Sequence, residues 1–548
     1  MALTLLVTSV VIISCIAFNK LSSRWGIPTL LIFILLGMFF GSDGFVKIPF
    51  ENYSFAEQIC SVSLIFIMFY GGFGTRLKDA ICIAPQSILL STLGVLLTAL
   101  LTGLFCHVVL AIPVLESFLI GAVISSTDAA SVFSILRSKR LNLKLHTASM
   151  LEVESGSNDP FSYMLTLIAL SLMLEPIHTG SILYMLFAQI VYGILIGILV
   201  ACVALWILNH FQFVTAGFDA AFVLATALLA YALPSLIGGN GYLSVYLVGL
   251  ILGNRPLPNK RALVHFFDGI TGLMQMLIFF LLGLLAFPSL LPSVLLPALA
   301  IALFLTFIAR PLAVGLILTP FKAPLMQQLL VSWSGLRGAS SIVFAILATI
   351  SPAYTQYDLF HIVFCIVLLS ITFQGTLLPF VAKKLHMIDP HADVLKTFTD
   401  YTEEVQVQFI ELILTADHPW ANQSIHQLIL PPHTLLVMLM RQGQTIIPNG
   451  NTVLLPDDIV ILSAPPFESS VSLELTELHI QPNSKWTSKT IAEFSPTPDH
   501  LVIMIKRGEK IIIPNGTTII EAHDTLVMSS NRIHKKIANP PITPTLEI

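Results

Sequence analysis

A polytopic bundle of membrane-spanning α-helices followed by a small cytoplasmic α+β tail is the fold that this 548-residue sequence predicts, on three observations. First, only 11% of the residues are charged while 55% are hydrophobic, and the mean hydropathy is +0.86. A soluble chain carries about 25% charged residues, because a solvated surface is built from them. Second, up to about position 385 the apolar residues form runs near or above the roughly 20 residues that a spanning helix needs. Third, the remainder is acidic, rich in charge and internally repeated. A soluble enzyme is thereby excluded for most of the chain.

The apolar runs are, in order, 2–18, 27–41, 58–74, 84–112, 116–136, 149–174, 181–208, 217–237, 241–253, 269–287, 290–318, 325–349 and 357–382, about 13 transmembrane helices. The first has neither a basic leader nor a small-residue cleavage site and is expected to be retained. Lys and Arg alternate strictly between the connecting loops. Lys20, Arg24, Arg76, Lys78, Arg137, Lys139, Arg140, Lys144, Arg255, Lys260, Arg261, Lys322, Lys383 and Lys384 fall on one side, and only Lys47 on the other. The positive-inside rule then predicts a multi-pass membrane protein with its amino terminus outside and its tail in the cytoplasm. The net charge of -4 gives no polyanion footprint, so no nucleic acid is expected as partner. The six cysteines have no metal-ligand spacing and read as small core residues.

Ionisable residues inside a bilayer are costly and face the protein interior or a wet cavity, so each is a functional candidate. Glu152-Val153-Glu154-Ser155-Gly156-Ser157-Asn158-Asp159-Pro160 opens the sixth run. On a helix Glu152, Ser155 and Asp159 share one face, and Glu154 and Asn158 a neighbouring one. Ser125-Ser126-Thr127-Asp128 interrupts the fifth run, as a helix broken near the midplane would. Trp333-Ser334-Gly335-Leu336-Arg337-Gly338-Ala339 breaks the twelfth, and Arg337 needs an anionic partner that Glu154 or Glu152 could supply. Each feature also has a structural reading. Glu152 could sit at the membrane interface, Glu154 could be purely an ion-pair partner of Arg337, and Asp128 could cap a broken helix. Asp159 could be a structural carboxylate. Arg310, beside Pro311, is expected to snorkel at the cytoplasmic end. Gly71-Gly72 and Gly238-Gly239 suit close helix contact or a turn.

Four blocks, Ser126-Thr127-Asp128-Ala129-Ala130-Ser131-Val132, Glu154-Ser155-Gly156-Ser157-Asn158-Asp159-Pro160, Leu250-Ile251-Leu252-Gly253-Asn254-Arg255-Pro256 and Gly335-Leu336-Arg337-Gly338-Ala339, resemble the NhaP branch of the monovalent cation:proton antiporters, over about residues 1–385. The resemblance implies inverted repeats with crossed, unwound helices, and a homodimer in a bacterial inner (cell) membrane. It implies that Asp159 binds proton or cation in turn and that Asn158 replaces the second aspartate of electrogenic relatives, making exchange electroneutral. Thr127 and Ser155 would supply coordinating oxygens to the alkali cation, Asp128 would line the crossing, and Glu154 with Arg337 would brace the core. Potassium, with sodium as the other candidate, is the cation that the tailed members suggest.

The chemistry is intelligible without the family. A cation held by several oxygens and a proton exclude each other on one carboxylate, and an unneutralised charge is costly in the barrier, so alternating access turns competition into exchange. A sodium- or proton-coupled solute symporter could use similar broken helices, and a tail-gated cation channel a similar tail. The channel has no need of a midplane carboxylate, and no Gly-Tyr-Gly-like filter is present.

Shifting the tail by 66 residues places Arg441 on Arg507, Ile446-Ile447-Pro448-Asn449-Gly450 on Ile512-Ile513-Pro514-Asn515-Gly516, Asp458 on Asp524 and Trp420 on Trp486, a tandem duplication. Each copy reads as short strands with one or two helices, broken by a Pro-Asn-Gly turn. The copies resemble the C-terminal subdomain of the potassium-conductance regulators (the TrkA-C, or RCK C-terminal, type), which implies a regulatory or assembly role and admits a small cytoplasmic ligand such as a cyclic dinucleotide. No Gly-x-Gly-x-x-Gly follows a strand, so NAD is not expected, and no other cofactor is. The expected division is 1–385 transmembrane, 386–411 linker, 412–464 first unit, 465–477 linker, 478–530 second unit and 531–548 C-terminal tail.

Overall fold

The computed structural model describes residues 9–18, 28–75, 77, 81–139, 141–174, 179–211, 217–257, 259–353, 357–389, 408–416, 418–428, 430, 434–441, 444–464, 474–482, 484, 486–494, 500–507, 510–512 and 514–530. Lys20, Arg24, Arg76, Lys78 and Arg140, the linker stretches 390–407 and 465–473 and the terminal 531–548 lie outside the described residues. The chain divides into two compact units, Met1–Glu404 and Val405–Ile548.

The first unit is helical. Its elements are α1 Ser9–Phe18, α2 Thr29–Phe40, α3 Tyr53–Gly74, α4 Ala84–Leu110, α5 Val114–Ile124, α6 Ala129–Ser138, α7 Thr147–Leu174, α8 Thr179–His210, α9 Phe218–Leu236, α10 Gly241–Gly253, α11 Lys260–Leu285, α12 Leu291–Leu318, α13 Leu325–Trp333, α14 Ala339–Ile350 and α15 Leu359–Lys384. Seven of them, α3, α4, α8, α9, α11, α12 and α15, are long and apolar enough to cross a membrane. On α12, Leu296, Leu303, Phe307 and Leu316 are exposed, and on α8 Leu183, Leu195, Leu199 and Trp206 are. Apolar faces of this extent are solvated by lipid, not by water.

Local chemistry sets the helix starts. Pro28, Pro113 and Pro324 immediately precede α2, α5 and α13, where a fixed φ favours the first turn and no backbone donor is missed. Asn52, Asn240 and Asp358 cap α3, α10 and α15 through their side-chain oxygens. Helix α11 starts at Lys260, ahead of the run expected from 269, because hydropathy registers only its apolar part and its first turns carry Lys260, Arg261, His265 and Asp268. A β-carbon on Gly72 would collide with the Tyr246 carbonyl, so α3 and α10 pack backbone to backbone. Gly238 takes φ +79 in the turn from α9 to α10, where a side chain would be strained.

Two helices are broken. Residues 125–128 separate α5 from α6, and 334–338 separate α13 from α14. The breaks meet, with the Asp128 N–H donating to the Leu336 carbonyl at 2.8 Å. Helix α7 runs unbroken past this crossing despite Pro160.

The second unit holds two antiparallel four-stranded sheets, ordered β1-β4-β2-β3 and β5-β8-β6-β7. The strands are β1 Gln408–Ile413, β2 Leu435–Arg441, β3 Gln444–Ile446, β4 Ile459–Ala464, β5 Glu474–His479, β6 His500–Arg507, β7 Lys510–Ile512 and β8 Thr525–Ser530. The sheets reproduce the 66-residue repeat down to a bulge between Leu436 and Met438 in β2 and between Val502 and Met504 in β6. Leu436, Leu439, Val460 and Leu462 build the first core, Ile505, Leu526 and Met528 the second. Two expectations shift. Strands β1 and β5 begin at 408 and 474, ahead of the boundaries at 412 and 478, because both are edge strands whose polar residues disguise them. In place of the expected helices, the described residues of the two copies contain one 3-10 turn, Ile425–Gln427.

Candidate cation site

The site lies where α7 passes the two breaks. Asp159 and Asn158 point from adjacent positions of α7 into this crossing, 8% and 0% exposed. The Ser126 hydroxyl, in the first break, hydrogen-bonds to Asp159 Oδ1 and lies 3.0 Å from the Ser340 hydroxyl in the first turn of α14. Asn158 Nδ2 donates to Thr127 Oγ1, and Ser155 Oγ donates to the Thr127 carbonyl at 2.7 Å. One turn further on, Ser162 Oγ donates to the Ala122 carbonyl of α5 at 2.6 Å. Ser155, Asn158, Asp159 and Ser162 follow i, i+3, i+4, i+7 spacing, which lines them along one stripe of α7 against the break.

Charged side chains compensate the freed helix ends. Arg337 Nη1 donates to the Ser125 carbonyl at 2.8 Å and to that of Ser126, placing a cation at the negative end of α5. Asp128 sits at the positive end of α6, where its Oδ1 accepts from the Ser131 N–H at 3.1 Å and its Oδ2 from the Ser131 hydroxyl. Gly338, the N-cap of α14, abuts the same carboxylate so closely that a β-carbon there would collide with it. Asp128 thus caps α6 through Ser131.

Two expectations, the Glu154–Arg337 pair and a snorkelling Arg310, differ from the structure. Glu154 does not pair with Arg337; its Oε1 accepts from Arg310 Nη2, and Arg310 is buried at 1% exposure instead of snorkelling. Helix α12 continues for eight residues beyond Arg310, which carries that side chain into the protein interior. Gly335 makes the room, since a β-carbon there would lie 3.0 Å from Arg310 Nε. Arg337 Nη1 is engaged with the carbonyls of Ser125 and Ser126 in the first break. Glu152 is only half-buried, outside the Asp159 cluster.

The structure brings Asp159, Asn158, Ser155 and Thr127 together at the crossing, where Ser126 and Ser340 join them. Their signal in the sequence is a serine within the first break and another in the first turn after the second. Among the described residues no group of three or more His, Cys, Asp or Glu could hold a metal ion. The oxygens at the crossing are the carboxylates of Asp159 and Asp128, the second engaged in the α6 cap, with several hydroxyls and main-chain carbonyls, the set that hard cations take.

Residues 7–384 match the transmembrane sodium/hydrogen exchanger family, and residues 409–467 and 475–534 each match the TrkA-C domain. The K(+)/H(+) antiporter NhaP of Alkalimonas amylolytica is 35% identical over 468 residues, 84% of this chain and 81% of its own. The K(+)/H(+) antiporter NhaP2 of Shewanella sp. (strain ANA-3) is 33% identical over 451 residues, 81% of this chain and 78% of its own. Among solved structures, that of the sodium proton antiporter MjNhaP1 from Methanocaldococcus jannaschii at pH 8 superposes with a TM-score of 0.62 and 26% identity, covering 70% of this chain and 99% of that one.

Proposed function

The chain belongs to the sodium/hydrogen exchanger family, and from that membership we propose how it exchanges a monovalent cation for protons across a membrane. It is a multi-pass membrane antiporter with a TrkA-C tail, not an enzyme. The observation that carries the site reading is the burial of Asp159 against Ser126 and Ser340, between two broken helices whose ends Arg337 and Asp128 compensate.

In this reading Asp159 is the shared seat of proton and cation. Its carboxylate and the oxygens of Ser126, Thr127, Ser155 and Ser340 take the cation after dehydration; protonation of the same carboxylate expels it. Asn158 is neutral and engaged with Thr127, so one carboxylate turns over one charge and exchange is electroneutral. The ion-free, ionised site is costly to move through a low-dielectric barrier, which suppresses leak. The Glu154–Arg310 pair and Arg337 brace the crossing without touching the ion. Potassium is the favoured cation, since two relatives are named K(+)/H(+) antiporters, with sodium the alternative that MjNhaP1 brings.

The loop charges support an amino terminus outside and a cytoplasmic tail. The domain division is adjusted to strands at 408 and 474, with the two TrkA-C units regulating exchange through a small cytoplasmic ligand, for which a cyclic dinucleotide is a candidate. The working form is a homodimer. The test is cation-dependent dequenching of a pH dye in proteoliposomes, scanned over potassium, sodium, lithium and rubidium with no organic solute present. Exchange is expected in the native protein and absent in Asp159→Asn; undiminished exchange in that variant overturns the site.

A further inference from the structure

One turn along α7 from Asp159 stands Tyr163, and one turn along α14 from Ser340 stands Phe344. The two rings lie 5.6 Å apart, and Tyr163 meets Tyr242 of α10 edge-on with centroids at 5.0 Å. Tyr242 in turn packs 5.0 Å from Tyr231 of α9. An aromatic layer therefore roofs the oxygen site on the side towards the start of α3 and the turn from α9 to α10. Side chains on a helix lean towards its N-terminus, so the Tyr163 ring covers the turn that holds Asp159.

Behind the layer lies a carboxylate that exchange at Asp159 does not use. Glu57, in the first turns of α3, is half-buried and accepts from the Ser61 hydroxyl at 2.7 Å. The Ser61 hydroxyl is within hydrogen-bonding reach of the Tyr242 phenol, and the phenols of Tyr163 and Tyr231 interact with the Glu57 charge and with each other. Glu57 thus stands at the head of a run of hydroxyls that passes from Ser61 of α3 to Tyr242 of α10, Tyr231 of α9 and Tyr163 of α7. A carboxylate followed by a line of hydroxyls offers oxygens to a partly dehydrated monovalent cation, and a half-buried charge attracts one more strongly than a solvated charge does.

We infer that Glu57, with Ser61 and the phenols of Tyr163, Tyr231 and Tyr242, forms an outer station at which an alkali cation is held before passing the aromatic layer to Asp159. This rests on the exchanger reading and on the orientation that places the start of α3 outside. Separation of Tyr163 from Tyr242 opens the layer, and the same movement bares the hydroxyls to the entering ion.

The experiment measures exchange by the full-length protein in right-side-out and in everted membrane vesicles, varying potassium on the accessible face. Glu57→Gln is expected to raise KM for potassium presented at the outer face by about fivefold, the loss of one charged ligand contact, while KM at the inner face and the maximal rate stay within about twofold. Glu57→Asp restores most of the outer affinity. Tyr163→Phe, which keeps the ring and removes one oxygen, moves the outer KM in the same direction by less. Equal change at both faces, an unchanged outer KM, or loss of exchange in Glu57→Gln with no face-dependent effect in Glu57→Asp and Tyr163→Phe overturns the station. Failure of the native protein to exchange any alkali cation, by contrast, sinks the exchanger reading itself.

Discussion

Arg310 and Glu154, 156 positions apart in the chain, meet as a buried ion pair beside the crossing of the broken helices. Breaking such a pair strands one charge in a low dielectric, whereas removing both partners need not destabilise. Arg310→Met alone should therefore lower stability by about 3–5 kcal/mol, and Arg310→Met with Glu154→Leu should recover most of that loss. Thermal unfolding in detergent measures both. Arg337→Met combined with Glu154→Leu should show no such recovery, because Arg337 directs its Nη1 to the carbonyls of Ser125 and Ser126 and not to Glu154.

The Ser340 hydroxyl supports Ser126, which holds Asp159. Ser340→Ala removes one hydrogen bond and one cation oxygen, about 1 kcal/mol of interaction. KM for the transported cation should rise roughly fivefold, with the maximal rate little changed. An unchanged KM would place Ser340 outside the ion's reach.

How much of this was visible in the residues beforehand differs from one group to the next for physical reasons. The clustering of Asp159, Asn158, Ser155 and Thr127 is legible because a contiguous polar run in an apolar helix, faced by a polar interruption in another, leaves few arrangements that satisfy every group. The Arg310 pairing was not, because it depends on how α12 is rotated and on the space at Gly335, which no local pattern encodes. The duplicated sheets were legible from their 66-residue period, but the edge strands β1 and β5 were cut short because Gln408, Glu411, Glu474 and Glu477 break the apolar alternation.

Asp128 caps α6 through Ser131 and lies against the N-cap of α14. A cap needs an oxygen, not a charge, so Asp128→Asn should retain exchange with affinity within about twofold. Asp128→Ala should cost about 1 kcal/mol of stability and disorder the crossing. If Asp128→Asn abolishes exchange in vesicles while folding normally, its carboxylate acts on the ion and the cap assignment is incomplete.

In the tail, Arg441 donates through Nε and Nη2 to the two carboxylate oxygens of Asp458, at 2.8 and 2.7 Å, and Arg507 repeats the fork on Asp524. Asp458 also accepts from the Leu455 N–H at 2.7 Å, tying the turn before β4. The hydrogen bonds from Arg441 hold the Asp458 carboxyl below the usual carboxylate range. A carboxyl whose folded value is depressed stabilises the fold fully above its unfolded value of about 3.9, and that stabilisation is lost as pH falls through the lower, folded value. Hydrogen exchange at β2 and β4 of the full-length protein should therefore be pH-independent in its protection from neutrality down to about pH 5, once intrinsic rates are removed, and weaken only below. Arg441→Ala should reduce local stability at neutral pH by about 1 kcal/mol, towards the low end for charged hydrogen bonds because the guanidinium is part exposed, and should flatten the acid dependence. Arg507→Ala should lower local stability at β6 and β8 by a similar amount at neutral pH and leave β2 and β4 unaffected, since each copy closes its own core. Loss of protection in both sheets from either single change would mean that the two repeats unfold as one cooperative unit.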